Sequence, residues 1–435
     1  MMDTVRVGLL GLGIVGSQVA ERLECQRDLV TERTGGPVEL TRVLVRDTAK
    51  RRAYLPTAAA ITTDPAAVLE DPGIGVVIEL MGGMEPARTY IERAIDAGKA
   101  VVTANKEVMA HHGPELLDLA KRRGVDVYFE AAVGGGIPLI STFKIDLLAN
   151  QISRIEAVIN GTTNFIIDRM ARDGAGFDEA LAEAQRLGYA EADPTYDVEG
   201  WDAAFKLTIM SSIAFRGRID PNEVHREGIR GLDPVDFRYA RDMGYAIRLL
   251  AYARDHGDEV ELRVHPALLP QSHLLAAVHD AYNAVVIEGD LVGSVLLYGQ
   301  GAGGRPTASA VVGDVIDLVL SMRKGVDNRI AVDIARPIRV RAMADVRTAA
   351  YLRLHVADRP GVLAEVARIL GDLDISISAV VQKQAMVEHA AAELVILTHP
   401  AREGDLRTAR ERLAALETVY AVPAFLRALT PEEAM

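Results

Sequence analysis

The sequence predicts an α/β protein in three parts: a doubly wound parallel sheet, a second α+β domain, and a small C-terminal ferredoxin-like domain. Three observations predict it. An apolar run at 5–10 enters Gly11-Leu12-Gly13-Ile14-Val15-Gly16 and then a helical pattern. Short apolar runs alternate with helical patterns from there to about residue 136. From 351 onward the pattern is strand, helix, strand, strand, helix, strand, which is the split βαβ order.

The first strand, 5–10, is followed by a tight glycine turn and a helix reaching residue 23, because apolar positions there recur at helical spacing. Further strands fall near 40–45, 76–80, 100–103 and 127–129, with helices at 86–97 and 106–123 between them. Strands that alternate with helices in this way pair in parallel. Beyond Gly136 the pattern changes: one helix at 178–187 is stopped by Gly188, and another spans about 199–212. The glycine-rich run Gly299-Gln300-Gly301-Ala302-Gly303-Gly304-Arg305-Pro306 leads into a helix at 307–322. Such a loop lets backbone approach a ligand or another chain closely. Residues 324–346 mix charges with Val and Ile around Pro337 and read as a strand and linker. In the last part, strands are expected at 351–356, 375–381, 392–398 and 419–425, and helices at 360–370 and 406–416.

A chain of 435 residues is too long for one core, and 49% hydrophobic with 25% charged residues is ordinary globular usage. Lys plus Arg (48) against Asp plus Glu (61) gives a formal charge of -13, which repels phosphate backbones and anionic membranes. Neither nucleic acid nor membrane is an expected partner. Apolar stretches such as 281–286 and 311–320 fall short of the roughly 20 residues that span a bilayer, and no basic segment followed by an apolar one opens the chain. A cytoplasmic protein is expected. The lone Cys25 forms no internal disulfide and fits a reducing compartment. The ten histidines, His111-His112 included, show no transition-metal ligand spacing.

A lone GxGxxG is weak, because glycines punctuate turns in every fold; set between a strand and a helix it gains weight. Gly11 permits the tight turn of a Rossmann-type fold, Gly13 lets backbone approach a pyrophosphate, and Gly16 allows close helix packing. Ile14 and Val15 open the helix whose free N–H groups face the anion. The second strand ends Val43-Leu44-Val45-Arg46-Asp47, so Arg46 stands where an acid usually takes the ribose 2′-hydroxyl, and Lys50, Arg51 and Arg52 follow. Cations there favour NADP, Asp47 leaves NAD open, and the bland alternative is a solvated basic loop. An insertion at 31–37 widens the spacing from fingerprint to acid.

The chemistry-bearing stretch runs from Leu187-Gly188-Tyr189-Ala190-Glu191 through Asp193, Asp197 and Glu199 to Trp201, Asp202, Phe205 and Lys206. Trp201, Phe205 and Thr208 share one helical stripe, while Asp202 and Lys206, at i and i+4, share another. The bland alternative for that pair is a surface salt bridge. This segment resembles the substrate signature of homoserine dehydrogenases. Thr103-Ala104-Asn105-Lys106, Glu130-Ala131-Ala132-Val133-Gly134-Gly135-Gly136-Ile137-Pro138, Asn160-Gly161-Thr162-Thr163-Asn164 and Gly301-Ala302-Gly303 before Pro306-Thr307 match as well, in the family's order from Val5 to about Met322.

The resemblance implies reversible NAD(P)H-dependent reduction of L-aspartate 4-semialdehyde to L-homoserine, a step toward threonine, methionine and isoleucine. Hydride delivered to an aldehyde carbon leaves an alkoxide, so a cation that can donate a proton must sit beside the oxygen. Lys206 is the candidate, with its pKa lowered by desolvation and by a second cation such as Lys106. By the resemblance, Asp202 binds substrate and either orients Lys206 or hydrogen-bonds the hydroxyl, and Glu191 holds the α-ammonium group. Asp197 reads either as part of that pocket or as a turn acid ahead of the helix. Thr103, Gly188 and Gly303 fall to the cofactor, and Lys106 to cofactor or substrate, the bland alternative for Lys106 being a solvated residue that opens a helix. Glu130, Val133, Gly135 and Ile137 match a family site for a monovalent cation such as sodium, bound through carbonyls; by themselves these residues read as a glycine-rich hinge.

Asp358-Arg359-Pro360-Gly361-Val362-Leu363 resembles the ligand loop of ACT domains, which implies L-threonine feedback at Asp358, Pro360, Gly361, Val362 and Leu363. Such domains pair side by side, so a homodimer or homotetramer is expected; an ACT-like dimerisation module without a ligand is the alternative. The expected division is 1–136 for the dinucleotide, with 304–323 packing back on it; 137–323 for substrate and dimerisation; 324–349 as linker; and 350–435 as the ACT domain. A thioester-forming semialdehyde dehydrogenase needs a catalytic cysteine, and Cys25 lies on the helix after the glycine turn. A fused aspartate kinase finds no room ahead of the first strand. A non-catalytic sensor of NADP and an amino acid is opposed by Glu191, Asp202, Lys106 and Lys206.

Overall fold

A computed structural model describes residues 4–326, 334, 336–386 and 391–430. The first compact unit comprises Met1–Ser153, Phe205–Asn222 and Glu288–Ile338. Its strands β1 (Val5–Leu10), β2 (Val38–Leu44), β3 (Ala60–Thr62), β4 (Val76–Glu79), β5 (Ala100–Thr103) and β6 (Val127–Tyr128) form a sheet in the order β3-β2-β1-β4-β5-β6. Every neighbouring pair is parallel. All of β4 and β5 and the last four residues of β1 are buried, as befits a parallel sheet covered on both faces.

The connecting helices start and stop on local chemistry. Asn105 caps the Lys106–Arg123 helix by accepting from the Val108 N–H at 3.1 Å, and Gly124 ends it in the left-handed conformation. The expected 31–37 insertion is instead mostly helix, Arg27–Thr34, closed by left-handed Gly35; its largely polar sequence lacks the apolar stripe that announces a helix. The Gly304–Lys324 helix places Val311, Val315, Leu318 and Val319 in one core with Val7, Leu9, Val76 and Ile78. Each buried aliphatic contributes about 1.5–3 kcal/mol before entropy.

The second unit comprises Arg154–Ala204, Glu223–Ile287 and Arg339–Met435. The strands that continue the chain are β7 (Ile152–Val158), β8 (His225–Arg226), β9 (Tyr245–Asp255), β10 (Glu259–Pro270), β11 (Tyr282–Gly289), β12 (Gly293–Gln300), β13 (Arg339–Val340), β14 (Arg347–Ala357), β15 (Ile377–Met386), β16 (Ala391–Thr398), β17 (Ala401–Arg402) and β18 (Val419–Ala428). The sheet of this unit runs β11-β7-β9-β10-β18-β14-β16-β15. With the helices Val362–Gly371 and Glu403–Ala414, the segment from β14 to β18 has the expected βαββαβ order, and its own core is built on Leu352, Leu354, Val366, Leu370, Leu394, Ile396 and Leu406.

Strands β7, β9, β10 and β11 and the Gly161–Asp173 helix were not anticipated by the sequence patterns. The reason is physical: β10 is buried at every position but its first, and β9 for most of its length. Neither alternates, and the buried charges Arg248, Glu261 and Arg263 break their apolar runs. Of the segment expected as strand and linker, β13 is the strand, while 327–333 and 335 lie outside the described residues. Among the described residues no helix is long and apolar enough to cross a membrane.

Candidate active site

In the first unit the glycine turn has the geometry a dinucleotide requires. Gly11 has φ +98°, and a Cβ there would lie 2.7 Å from the Leu80 carbonyl oxygen; a Cβ on Gly16 would lie 2.2 Å from the Gly11 carbonyl oxygen. At Gly13 nothing lies within 4 Å of such a Cβ, so the backbone there is open on that side. Gly13 is also the N-cap of the Ile14–Cys25 helix, without a side-chain cap, so the turn offers N–H groups to an anion. A cleft of about 580 Å³ is lined by Gly11, Gly13, Arg46, Lys50 and Arg52 among others. Arg46 is exposed there. The Asp47 carboxylate accepts from the Ala49 N–H at 2.8 Å within its own turn, and Arg52 donates to the Lys50 carbonyl at 2.7 Å.

The loops after β4 and β5 are tied together beneath this cleft. Glu79 is fully buried and accepts from the Thr103 hydroxyl at 2.6 Å and the Met81 N–H at 2.7 Å. Burial raises its carboxyl above the usual range against those donors. Thr103 in turn accepts from the Asn105 N–H at 3.0 Å, and Asn105 donates to the Gly83 carbonyl at 2.8 Å. Lys106, half-buried, opens the following helix. Glu79 escapes sequence reasoning, although an acid ending a run of Val and Ile is a signal that could have found it.

The Glu130 to Ile137 stretch turns through Gly134 (φ +71°) and Gly135 (φ +52°). A Cβ on Gly135 would meet the Gly301 carbonyl oxygen at 2.6 Å, and one on Gly304 would meet Ile14 at 3.0 Å. The Gly301-Gly304 loop thus lies against both the hinge and the fingerprint helix, and its Gly303 (φ +117°) is exposed. The Glu130 carboxylate accepts from the Ile140 and Ser141 N–H groups at 2.8 and 2.7 Å. Val133 and Ile137 are buried beside it.

In the second unit the acids gather around one amide. Asn160 caps the Gly161–Asp173 helix, accepting from the Thr163 N–H at 2.8 Å. Its amide donates to Asp197 at 2.6 Å and to Asp202 at 2.8 Å. Asp202 is buried at the start of the Trp201–Ala214 helix; Lys206, one turn further along the same helix and counted in the first unit, is only 8% exposed. A surface salt bridge is therefore not what this pair is. Every residue from Asp202 to Ile213 is buried, so the two charges occupy an element that otherwise is core. Gly188 ends the Phe177–Leu187 helix with φ +80°, and the Thr162 hydroxyl holds the Tyr189 carbonyl at 2.6 Å. Glu191 is exposed. Asp193, held below the usual carboxyl range by the Thr195 hydroxyl and N–H, precedes the short Thr195–Val198 helix that carries Asp197.

In the C-terminal segment, Asp358 and Pro360 lie between β14 and the Val362–Gly371 helix. Gly361 is its N-cap with φ +98°; Val362 is buried and Leu363 is exposed.

Comparison with known proteins agrees along the chain. The family model for the homoserine dehydrogenase NAD-binding domain matches residues 11–130, that for homoserine dehydrogenase matches 138–316, and that for the ACT domain matches 350–418. A homoserine dehydrogenase of Synechocystis is 43% identical over 436 residues, covering 98% of this chain and 100% of the relative. The crystal structure of a homoserine dehydrogenase from Thiobacillus denitrificans superposes with a TM-score of 0.93 at 44% identity, covering 98% of each chain. A hyperthermophilic archaeal homoserine dehydrogenase in complex with NADPH has a TM-score of 0.63 at 28% identity, over 73% of this chain and 98% of that one. This chain belongs to the homoserine dehydrogenase family.

Proposed function

We propose that the chain interconverts L-aspartate 4-semialdehyde and L-homoserine with Lys206 as proton donor and acceptor, and that it favours NADP(H) over NAD(H). As an NAD(P)-dependent oxidoreductase acting on a CH–OH group it needs two things from its residues: a place for the cofactor and a group that handles the hydroxyl proton. The observation that carries the assignment is the burial of Lys206 one helical turn from buried Asp202. Two charges in an otherwise uncharged, buried helix are costly unless they serve a ligand or each other.

When bound, the nicotinamide cofactor would supply the hydride for the aldehyde carbon, or accept it from the alcohol. Lys206 gives a proton to the oxygen in reduction and removes it in oxidation, so charge does not build up on an alkoxide. Asp202 orients that ammonium group and, with Asp197 and Glu191, receives the cationic end of the amino acid. Gly11, Gly13, Ile14, Val15 and Gly16 would hold the pyrophosphate, while Thr103, Lys106, Gly188 and Gly303 would serve the nicotinamide side. Preference for NADP is supported by Arg46, Lys50 and Arg52 lining one cleft with the glycine turn and by the Asp47 carboxylate being engaged in its own turn. The NADPH named with the archaeal relative is in keeping with it.

Around the hinge, carbonyls near Glu130, Val133, Gly135 and Ile137 would hold a monovalent cation such as sodium. Hard cations take oxygen ligands, and the Glu130 carboxylate, engaged by two backbone amides, would act on the shape of the loop. The ACT loop from Asp358 to Leu363 would take the L-threonine carboxylate at the amides beside Gly361. We place the protein in the cytoplasm as a homodimer or homotetramer. The purified chain should oxidise homoserine with NADP, followed by absorbance of the reduced cofactor, and Lys206→Ala should lose about 10²–10⁴-fold in kcat. A Lys206→Ala enzyme with wild-type turnover would remove Lys206 from the chemistry.

A further inference from the structure

The geometry points to Asn160 as a positioning residue that holds Asp197 and Asp202 together as oriented carboxylates. It rests on the proposed role of those two acids toward substrate. Asn160 is buried at the end of β7, where the chain enters the Gly161–Asp173 helix. Its Oδ1 accepts from both the N–H and the hydroxyl of Thr163, at 2.8 and 2.9 Å. That contact fixes the amide orientation, because an N–H can be satisfied only by an acceptor. The NH2 group then faces the acids and gives one proton to Asp197 and one to Asp202, at 2.6 and 2.8 Å.

Half-buried Asp197 and buried Asp202 meet at one amide, and a donor placed between two carboxylates offsets their mutual repulsion. An amide is the neutral group that meets both: it donates twice, carries no charge that would neutralise them, and cannot itself ionise. The acids come from different elements, the short Thr195–Val198 helix and the Trp201–Ala214 helix. Asn160 is thus the tie between them, and its cap hydrogen bond anchors the tie to a third helix.

Cap and tie can be separated. Ser caps a helix about as well as Asn, so Asn160→Ser keeps the acceptor for the Thr163 N–H and removes both donors to the acids. We expect Asn160→Ser to melt within a few degrees of wild type, to keep its KM for NADP, and to lose about 10–100-fold in kcat/KM for homoserine. The acid limb of its kcat/KM profile should move to higher pH, since carboxylates that lose hydrogen bonds to their charged form bind protons more readily. Asn160→Ala should show the same kinetic change with a further loss of stability. An Asn160→Ser enzyme with unchanged kcat/KM and an unmoved acid limb overturns the proposal, and so does a loss that comes with weakened NADP binding and no pH shift. Asp202→Asn run in parallel keeps the two ideas apart. If Asp202→Asn is fully active, the substrate role of the acids is wrong; if it is inactive while Asn160→Ser is normal, only the tie is wrong.

Discussion

Three glycines in one turn differ in what a methyl group would do to them. At Gly13 the added carbon finds open space and the φ of -84° suits any residue. Gly13→Ala should therefore leave the melting temperature unchanged while raising the KM for NADP about tenfold or more, if the pyrophosphate binds there as proposed. At Gly16 the carbon meets the Gly11 carbonyl oxygen at 2.2 Å, so the turn must move. Gly16→Ala should lower stability by roughly 1–3 kcal/mol, an overpacking cost, along with affinity. Thermal melts with a cofactor titration check both, and a Gly13→Ala enzyme that unfolds early but binds normally would reverse the assignment. Lys206 and Asp202 were legible at this scale because i and i+4 residues face the same way. Asn160 was legible only as part of a run that matches the family, since no local rule says which carboxylates fold over its amide.

At the scale of an element, β10 sets Glu261, Arg263 and His265 on one face at two-residue spacing, all buried. Burial, with the Arg263 and Arg427 guanidiniums close by, holds the His265 imidazole well below its usual pKa, although the Pro266 carbonyl and Glu227 pull the other way. In the folded state it stays neutral, whereas in the unfolded chain it protonates near pH 6.5. Its contribution is therefore present above that pH and lost as pH falls below it, by about 1.4 kcal/mol per pH unit. Buried Glu79 and Asp314, whose carboxyls are raised by burial, act in the opposite sense, so the contrast with a variant is what isolates the histidine. Urea denaturation from pH 7.5 to 5.5 should show wild type losing stability faster than His265→Gln on acidification; parallel curves would mean that His265 titrates normally. The buried strand itself could not be seen in the sequence, because a strand that buries charge as well as Val and Leu has no alternation to betray it.

At the scale of the whole molecule, the second unit stands on a sheet that its last strand completes. β18 pairs in parallel with β10 at Ala267 and Leu268 and antiparallel with β14 along most of its length. Buried Asp236 accepts from the Tyr351 hydroxyl at 2.8 Å and from Arg353 at 2.7 and 3.0 Å. Arg427 bonds Glu227 and Glu403. A chain ending at residue 345 would leave Ala267 and Leu268 of β10 without their β18 partners and strip Asp236 of its own. Breaking a buried ion pair costs about 3–5 kcal/mol, and an unpaired edge invites aggregation. Truncation should therefore give insoluble or aggregated protein by gel filtration, whereas a monodisperse, active product would show the C-terminal segment to be dispensable for folding.

Local order made much of this protein readable in one dimension. The glycine turn, the strand and helix alternation, the βαββαβ order and the i, i+4 pair all depend on residues close in the chain, whose geometry follows from backbone sterics and helical period. Tertiary structure alone decided which groups meet across long separations: Asn160 with Asp197 and Asp202, Glu130 with Ile140 and Asp314, and β10 with the final strand. Those pairings reflect how whole faces pack and where buried polar groups must find partners, and no short window of sequence carries that information.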